Sequence, residues 1–129
     1  MEIIKSSSLE FLKKYLNNSS PTGYEIEGQK IWIEYLKNYV DNFITDSYGT
    51  AVGVINKEAQ FKLVIEAHSD EISWYVNYIT ENGLIYVIRN GGSDHQIAPS
   101  KDVDIHTKKG IVKGVFGWPA IHTRKPSKE

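Results

Sequence analysis

The stretch Lys62-Leu63-Val64-Ile65-Glu66-Ala67-His68-Ser69-Asp70-Glu71 carries the residues best suited to chemistry. An apolar run that reads as a buried strand delivers a histidine at its end, and a carboxylate follows two residues later. Neutral imidazole is the commonest protein metal ligand. Its second ring nitrogen usually donates to a carboxylate, which fixes the tautomer and the ring angle. Residues two apart in an extended chain share a face, so Asp70 is placed for that supporting role. Glu71 should point elsewhere, toward a backbone or arginine group. Taken alone, a His-x-Asp triplet is a short motif that also reads as a solvated strand end. A metal centre needs more than one ligand, and no second cluster of this kind follows.

The remaining histidines sit in weaker surroundings. His95, in Ser93-Asp94-His95 after two glycines, reads as part of a surface turn, although a ligand pocket near Gly91 to His95 is a minor alternative. His106 lies on the side of a strand opposite Val103 and Ile105, which suits solvent or a subunit contact. His122 follows Trp118-Pro119-Ala120-Ile121, in a segment able to fold back over a site. None of these three is taken as a ligand. Asp94, Asp102 and Asp104 read as turn and strand-edge charges. There is no phosphate loop, no Gly-x-Ser-x-Gly elbow and no paired-His helix motif.

Composition limits the classes of function. The chain has 129 residues, 40% hydrophobic and 24% charged, which describes a globular protein of one domain or two small ones. A net charge of −1 with both signs scattered argues against nucleic acid or an anionic membrane as partner. The absence of cysteine excludes disulfides, thiolate-bound zinc and thiol nucleophiles. No segment is long and apolar enough to span a bilayer, so a soluble, cytoplasmic protein is the simplest reading.

The elements that must hold His68 follow from periodicity. Ser7 and Glu10 have capping-box spacing. Leu9, Leu12 and Leu16 form a helical stripe beside Phe11 and Tyr15, and the Asn17 to Pro21 segment stops that helix. Thr22 and Glu25 repeat the capping-box spacing and predict a second helix from about Tyr24 to Tyr39. Its Ile26, Ile33, Leu36 and Val40 face a core, with Trp32 and Tyr35 widening the stripe. Strands are then predicted at Phe43–Thr45, Ala51–Ile55 and Phe61–Ala67. Alternation at Ile72–Ile79 puts Ile72, Trp74, Val76 and Tyr78 on one face. Glu81-Asn82-Gly83 is a hairpin signal into Leu84–Arg89. Val103–Thr107 and Ile111–Phe116 form another hairpin around Lys108-Lys109-Gly110, and the tail from Pro119 reads as a loop or frayed end. Texture divides the chain into an α/β half, residues 1–71, and a hairpin-only half, residues 72–129.

Several motifs occur in a fixed order. They are Ser20-Pro21-Thr22-Gly23-Tyr24-Glu25, Asp46-Ser47-Tyr48-Gly49-Thr50, Ala67-His68-Ser69-Asp70-Glu71-Ile72, Gly91-Gly92, and the run from Ile105-His106-Thr107 through Lys113-Gly114-Val115-Phe116-Gly117. Together they resemble the N-terminal part of metallopeptidase family forty-two, the dinuclear glutamyl and deblocking aminopeptidases, some of which carry an endoglucanase label. The resemblance covers nearly the whole chain. It implies an α/β fold class: the N-terminal part of a dinuclear-zinc aminopeptidase domain, followed by part of an inserted β-rich, barrel-like dimerisation domain. It also implies two divalent metals, zinc or cobalt, that polarise the substrate and activate water for attack on N-terminal residues of peptides. His68 matches the family's first metal-ligand histidine. Asp70 matches the catalytic-site acid that supports it. Peptide substrates and a homo-oligomer built through the β-rich part are the implied partners, with no nucleic acid and no membrane.

Departures from the family pattern sharpen this. Ser73 stands where the family usually has Gly, and Pro119-Ala120-Ile121-His122 varies on Pro-Pro-His. The family's bridging Asp, general-base Glu, other carboxylate ligands and last His have no counterpart, which implies a chain that stops inside the β insertion. The expectation is an N-terminal portion that is inactive alone and binds metal poorly, since catalytic metals take about three protein ligands each. The alternative is a non-catalytic β-rich assembly or regulatory module.

Overall fold

The computed structural model describes residues 4–118 and 121–123. The Pro119-Ala120 pair and the tail beyond Thr123, on which a loop was expected, lie outside the described residues. The chain forms two compact units, Met1–Gly91 and Gly92–Glu129. This boundary of compactness falls beyond the texture boundary at Glu71–Ile72, because the first hairpin of the β-rich half stays with the helices.

In the first unit, α1 (Ser6–Leu16) and α2 (Ile26–Leu36) precede two hairpins. The first pairs β1 (Asn42–Thr45) with β2 (Ala51–Val54), and the second pairs β3 (Ser73–Ile79) with β4 (Ile85–Asn90), both antiparallel. The second unit contains a short 3-10 turn at His95–Ile97, the antiparallel pair β5 (Asp102–Thr107) and β6 (Gly110–Val115), and a 3-10 turn at Ile121–Thr123. Among the described residues the strands therefore make three two-stranded sheets. No helix among them is long and apolar enough to cross a membrane.

Both capping boxes are corrected. The N-cap of α1 is Lys5 and that of α2 is Glu25, and neither makes a side-chain capping bond. Thr22 is committed instead to a partner far along the chain, described below. A local capping preference is worth about 1 kcal/mol, too little to outrank a charge-assisted tertiary bond. The second helix is correspondingly shorter than periodicity suggests.

The face that α1 half-buries is the one beside the leucine stripe. Leu9, Leu12 and Leu16 are exposed, whereas Ser8, Phe11 and Tyr15 are half-buried. Phe11 stacks on Tyr35 of α2 with ring centroids 3.9 Å apart, and the Ser8 and Tyr35 hydroxyls lie 2.9 Å apart. An aromatic stack chooses the docking face, and the leucine stripe lies on the more exposed side of α1. Burial raises the Tyr15 hydroxyl above its ordinary pKa. On α2, Trp32, Ile33, Tyr35 and Leu36 are half-buried as expected, but Ile26 is exposed. Trp32 meets Phe43 edge-on at 6.2 Å, which holds the first hairpin against α2.

The largest correction concerns Phe61–Ala67. The segment belongs to no helix and to no paired strand, and Phe61 and Ile65 are 81% and 91% exposed. Strand preference is realised only on a neighbouring strand or packed face, and among the described residues none lies beside it. The ladder begins only at Glu71, in a single parallel bridge to Pro21. In β3 the alternation is broken as well. Val76 pairs with Val87 and Tyr78 with Tyr86, which leaves Asn77 as the extra residue of a bulge. Successive residues of β4 face opposite ways, so the bulge moves Tyr78 off the face of Val76, where it stacks on Tyr86 at 4.5 Å.

The second unit follows its sequence more closely. Asp94 Oδ1 accepts the Gln96 N–H at 2.9 Å and caps the 3-10 turn, and Asp104 pairs across the ladder with Lys113. Ala98 is the buried hydrophobic residue among those described.

Candidate functional site

The site is assembled around a turn. Pro21 to Tyr24 is closed by the Tyr24 N–H donating to Pro21 O at 2.7 Å, with Gly23 at φ +87°. L side chains rarely adopt that conformation, so glycine is what permits the turn. The Gly23 N–H donates to Glu25 Oε1 at 2.6 Å, which ties the turn to the start of α2. Close packing brings α2 onto the adjoining loop. Gly28 is buried, and a Cβ there would come within 2.5 Å of Ser20 Oγ.

This loop clamps the acidic pair. The Ser20 N–H donates to Glu71 Oε1 at 2.6 Å, and the Glu71 N–H donates back to Ser20 O at 2.9 Å. Glu71 thus turns away from His68 and satisfies backbone, as the alternation argument requires. The Thr22 hydroxyl donates to Asp70 Oδ2 at 2.6 Å. Asn90 Nδ2 donates to Thr22 O at 2.9 Å and to Ser73 Oγ at 3.0 Å, so β4 braces the same turn.

The other Asp70 oxygen meets the histidine. His68 Nδ1 lies 2.9 Å from Asp70 Oδ1 and 3.0 Å from the Asp70 carbonyl oxygen. With two acceptors at Nδ1, that nitrogen carries the proton of the neutral ring, and Nε2 keeps a lone pair. The Thr22 hydroxyl first, and then the His68 ring, hold the Asp70 carboxyl below its ordinary pKa. The imidazole is 85% exposed and the Asp70 side chain 33% exposed. His68 and Asp70 line an open cleft of about 260 Å³ with Glu25, Gln29, Tyr48 and Thr50. Gln29 Nε2 donates to Gly49 O at 2.9 Å, which anchors the β1–β2 turn at the cleft edge.

Imidazole with its Nδ1 tied to a carboxylate has the donor chemistry of one metal–nitrogen bond. It does not complete a site. Among the described residues no three His, Asp or Glu side chains converge as a possible metal cage. His95, His106 and His122 belong to the second unit. Sequence reasoning singled out His68 and Asp70, which the structure brings together, and did not mark Thr22, Ser20, Gln29 and Asn90 as their surroundings. The Pro-x-Gly turn signal marks the loop, yet nothing local says which residue it will grip.

Comparison with known proteins places this scaffold among the metallopeptidases, specifically the aminopeptidases. The chain belongs to the M42 glutamyl aminopeptidase family, whose sequence profile matches residues 49–129. It is 28% identical over 121 residues to the lysyl aminopeptidase of Pyrococcus furiosus, covering 93% of this chain and 35% of that protein. A TET aminopeptidase from a marine sediment Thaumarchaeota archaeon superposes with a TM-score of 0.86 at 26% identity, covering 94% of this chain and 34% of that one. The Pyrococcus horikoshii TET1 peptidase, described as assembling into a tetrahedron or a large octahedral shell, gives a TM-score of 0.72 at 27% identity, over 94% of this chain and 36% of that one. The chain thus spans about a third of the length of these relatives.

Proposed function

We propose that this chain is the N-terminal portion of a metal-dependent aminopeptidase that removes N-terminal residues from peptides, and that the portion is inactive alone. The observation that carries the reading is the His68–Asp70 pair: one ring nitrogen fixed at 2.9 Å from a carboxylate, and no converging set of three ligating side chains among the described residues. In the complete enzyme His68 Nε2 would hold one of two divalent metals, zinc or cobalt, with Asp70 orienting the ring. A metal bound there would supply Lewis acidity and a water of lowered pKa. Residues 1–71 would then belong to the catalytic α/β domain. Residues 72–129 would open the inserted β-rich dimerisation domain, through which the protein forms a cytoplasmic homo-oligomer. Support for the oligomer comes from the tetrahedral and octahedral assemblies of the P. horikoshii relative.

Calorimetric titration of zinc or cobalt into the isolated chain tests this. The expected result is no tight binding and no turnover of aminoacyl p-nitroanilides with either metal added. Tight binding that His68→Ala abolishes, accompanied by turnover, would show a complete site and overturn the reading.

A further inference from the structure

We propose that Thr22 is a positioning residue for His68, acting through the Asp70 carboxylate; the proposal rests on the assignment of His68 as a metal ligand. The two Asp70 oxygens have separate duties. Oδ2 accepts the Thr22 hydroxyl at 2.6 Å, and Oδ1 faces His68 Nδ1 at 2.9 Å. A carboxylate held at one oxygen cannot rotate freely about its terminal torsion, so the other oxygen is presented to the ring in a set direction. Thr22 is itself held. Its carbonyl accepts from Asn90 Nδ2, and the turn that contains it is closed by Tyr24 onto Pro21. The chain of bonds therefore runs from β4, through the Thr22 turn, to Asp70 and then to the imidazole. Because His68 is largely exposed, packing does not fix its ring; the Asp70 carbonyl oxygen at 3.0 Å gives Nδ1 one acceptor, and this chain of bonds aims the second, charged one. The consequence is selection of the Nδ1–H tautomer, which leaves the Nε2 lone pair available before any metal arrives. Restricting a ligand to its bound tautomer lowers the cost of binding.

The test uses nitrogen-15 NMR of histidine-labelled, metal-free chain at about pH 8.5, where an ordinary imidazole is neutral. The His68 signals are assigned by their loss in His68→Gln. Wild type and Thr22→Ser should both show a protonated Nδ1 and an unprotonated Nε2, as two well-separated shifts. Thr22→Val keeps the shape and loses the hydroxyl, and its two shifts should move toward each other as the tautomers mix. Amide spectra of Thr22→Val that match wild type outside the 20–24 and 68–71 segments establish that the fold is kept. Unchanged His68 shifts in Thr22→Val overturn the role of Thr22 and leave the assignment of His68 standing. A wild-type His68 protonated on Nε2 overturns both.

Discussion

Asp46 fixes one wall of the cleft from a residue that never touches His68. Its Oδ1 accepts the Tyr48 and Thr50 N–H groups at 2.9 Å each, and Tyr48 and Thr50 line the cleft. These bonds, led by the one from Thr50, hold the Asp46 carboxyl below its ordinary value of 3.8. A carboxylate with a depressed folded pKa stabilises the turn fully above its unfolded value. That contribution is lost as pH falls through the lower, folded value. The Tyr48 and Thr50 amide resonances should therefore titrate together, with a midpoint below 3.8. Asp46→Asn keeps an acceptor oxygen and should hold the turn with no such titration, while Asp46→Ala should loosen it. A midpoint at or above the ordinary value would refute the account. At this scale the site was legible wherever its geometry is local. His68 meets Asp70 two residues on, so alternation suffices to pair them. The bond from Thr22 to Asp70 crosses 48 positions, and no spacing rule reaches that far.

The helices and hairpins were legible as elements, and what the sequence did not disclose was their partners. Periodicity located α1 to within a residue or two and picked out its leucine stripe, but it did not say which face of the helix would dock. The stack of Phe11 on Tyr35 decides the docking. The β3 bulge at Asn77 escaped for a related reason, since it is a property of the pairing with β4 and not of β3 alone. A helix of 11 residues is marginal in water without tertiary support. Phe11→Ala should therefore detach α1 as well as weaken the unit. Full burial of a phenylalanine would put the cost at about 3–5 kcal/mol; for this half-buried ring about 2 kcal/mol is expected. Hydrogen exchange read by mass spectrometry checks it. The amides of residues 6–16 should lose most of their protection in Phe11→Ala, while those of β3 and β4 keep theirs. Equal loss in both regions would mean that the helix pair and the second hairpin unfold as one, and that the stack is not a local clasp.

At the scale of the molecule, apolar surface lies open along several elements. Phe61, Leu63, Val64 and Ile65 project from an unpaired stretch, and Tyr75, Ile79, Ile85 and Ile88 are exposed on the ribbon of β3 and β4. Each described strand has one partner strand among the described residues, so each keeps a second edge that no described strand covers. A two-stranded ribbon alone is marginally stable in water, and an exposed hydrophobic edge is a template for pairing with another chain. The Phe61 to Ile65 stretch adds low charge and strand preference without proline, which are the features of aggregation-prone segments. The expected behaviour is self-association that grows with concentration, seen as a rising mass in static light scattering. The double substitution Phe61→Lys and Ile65→Lys should reduce it while leaving the helical circular dichroism signal unchanged, because neither side chain is packed in the folded unit. A wild-type chain that stays monomeric up to millimolar concentration would remove the argument. So would association left intact by the double lysine variant, for it would move the sticky surface from this stretch to the hairpins.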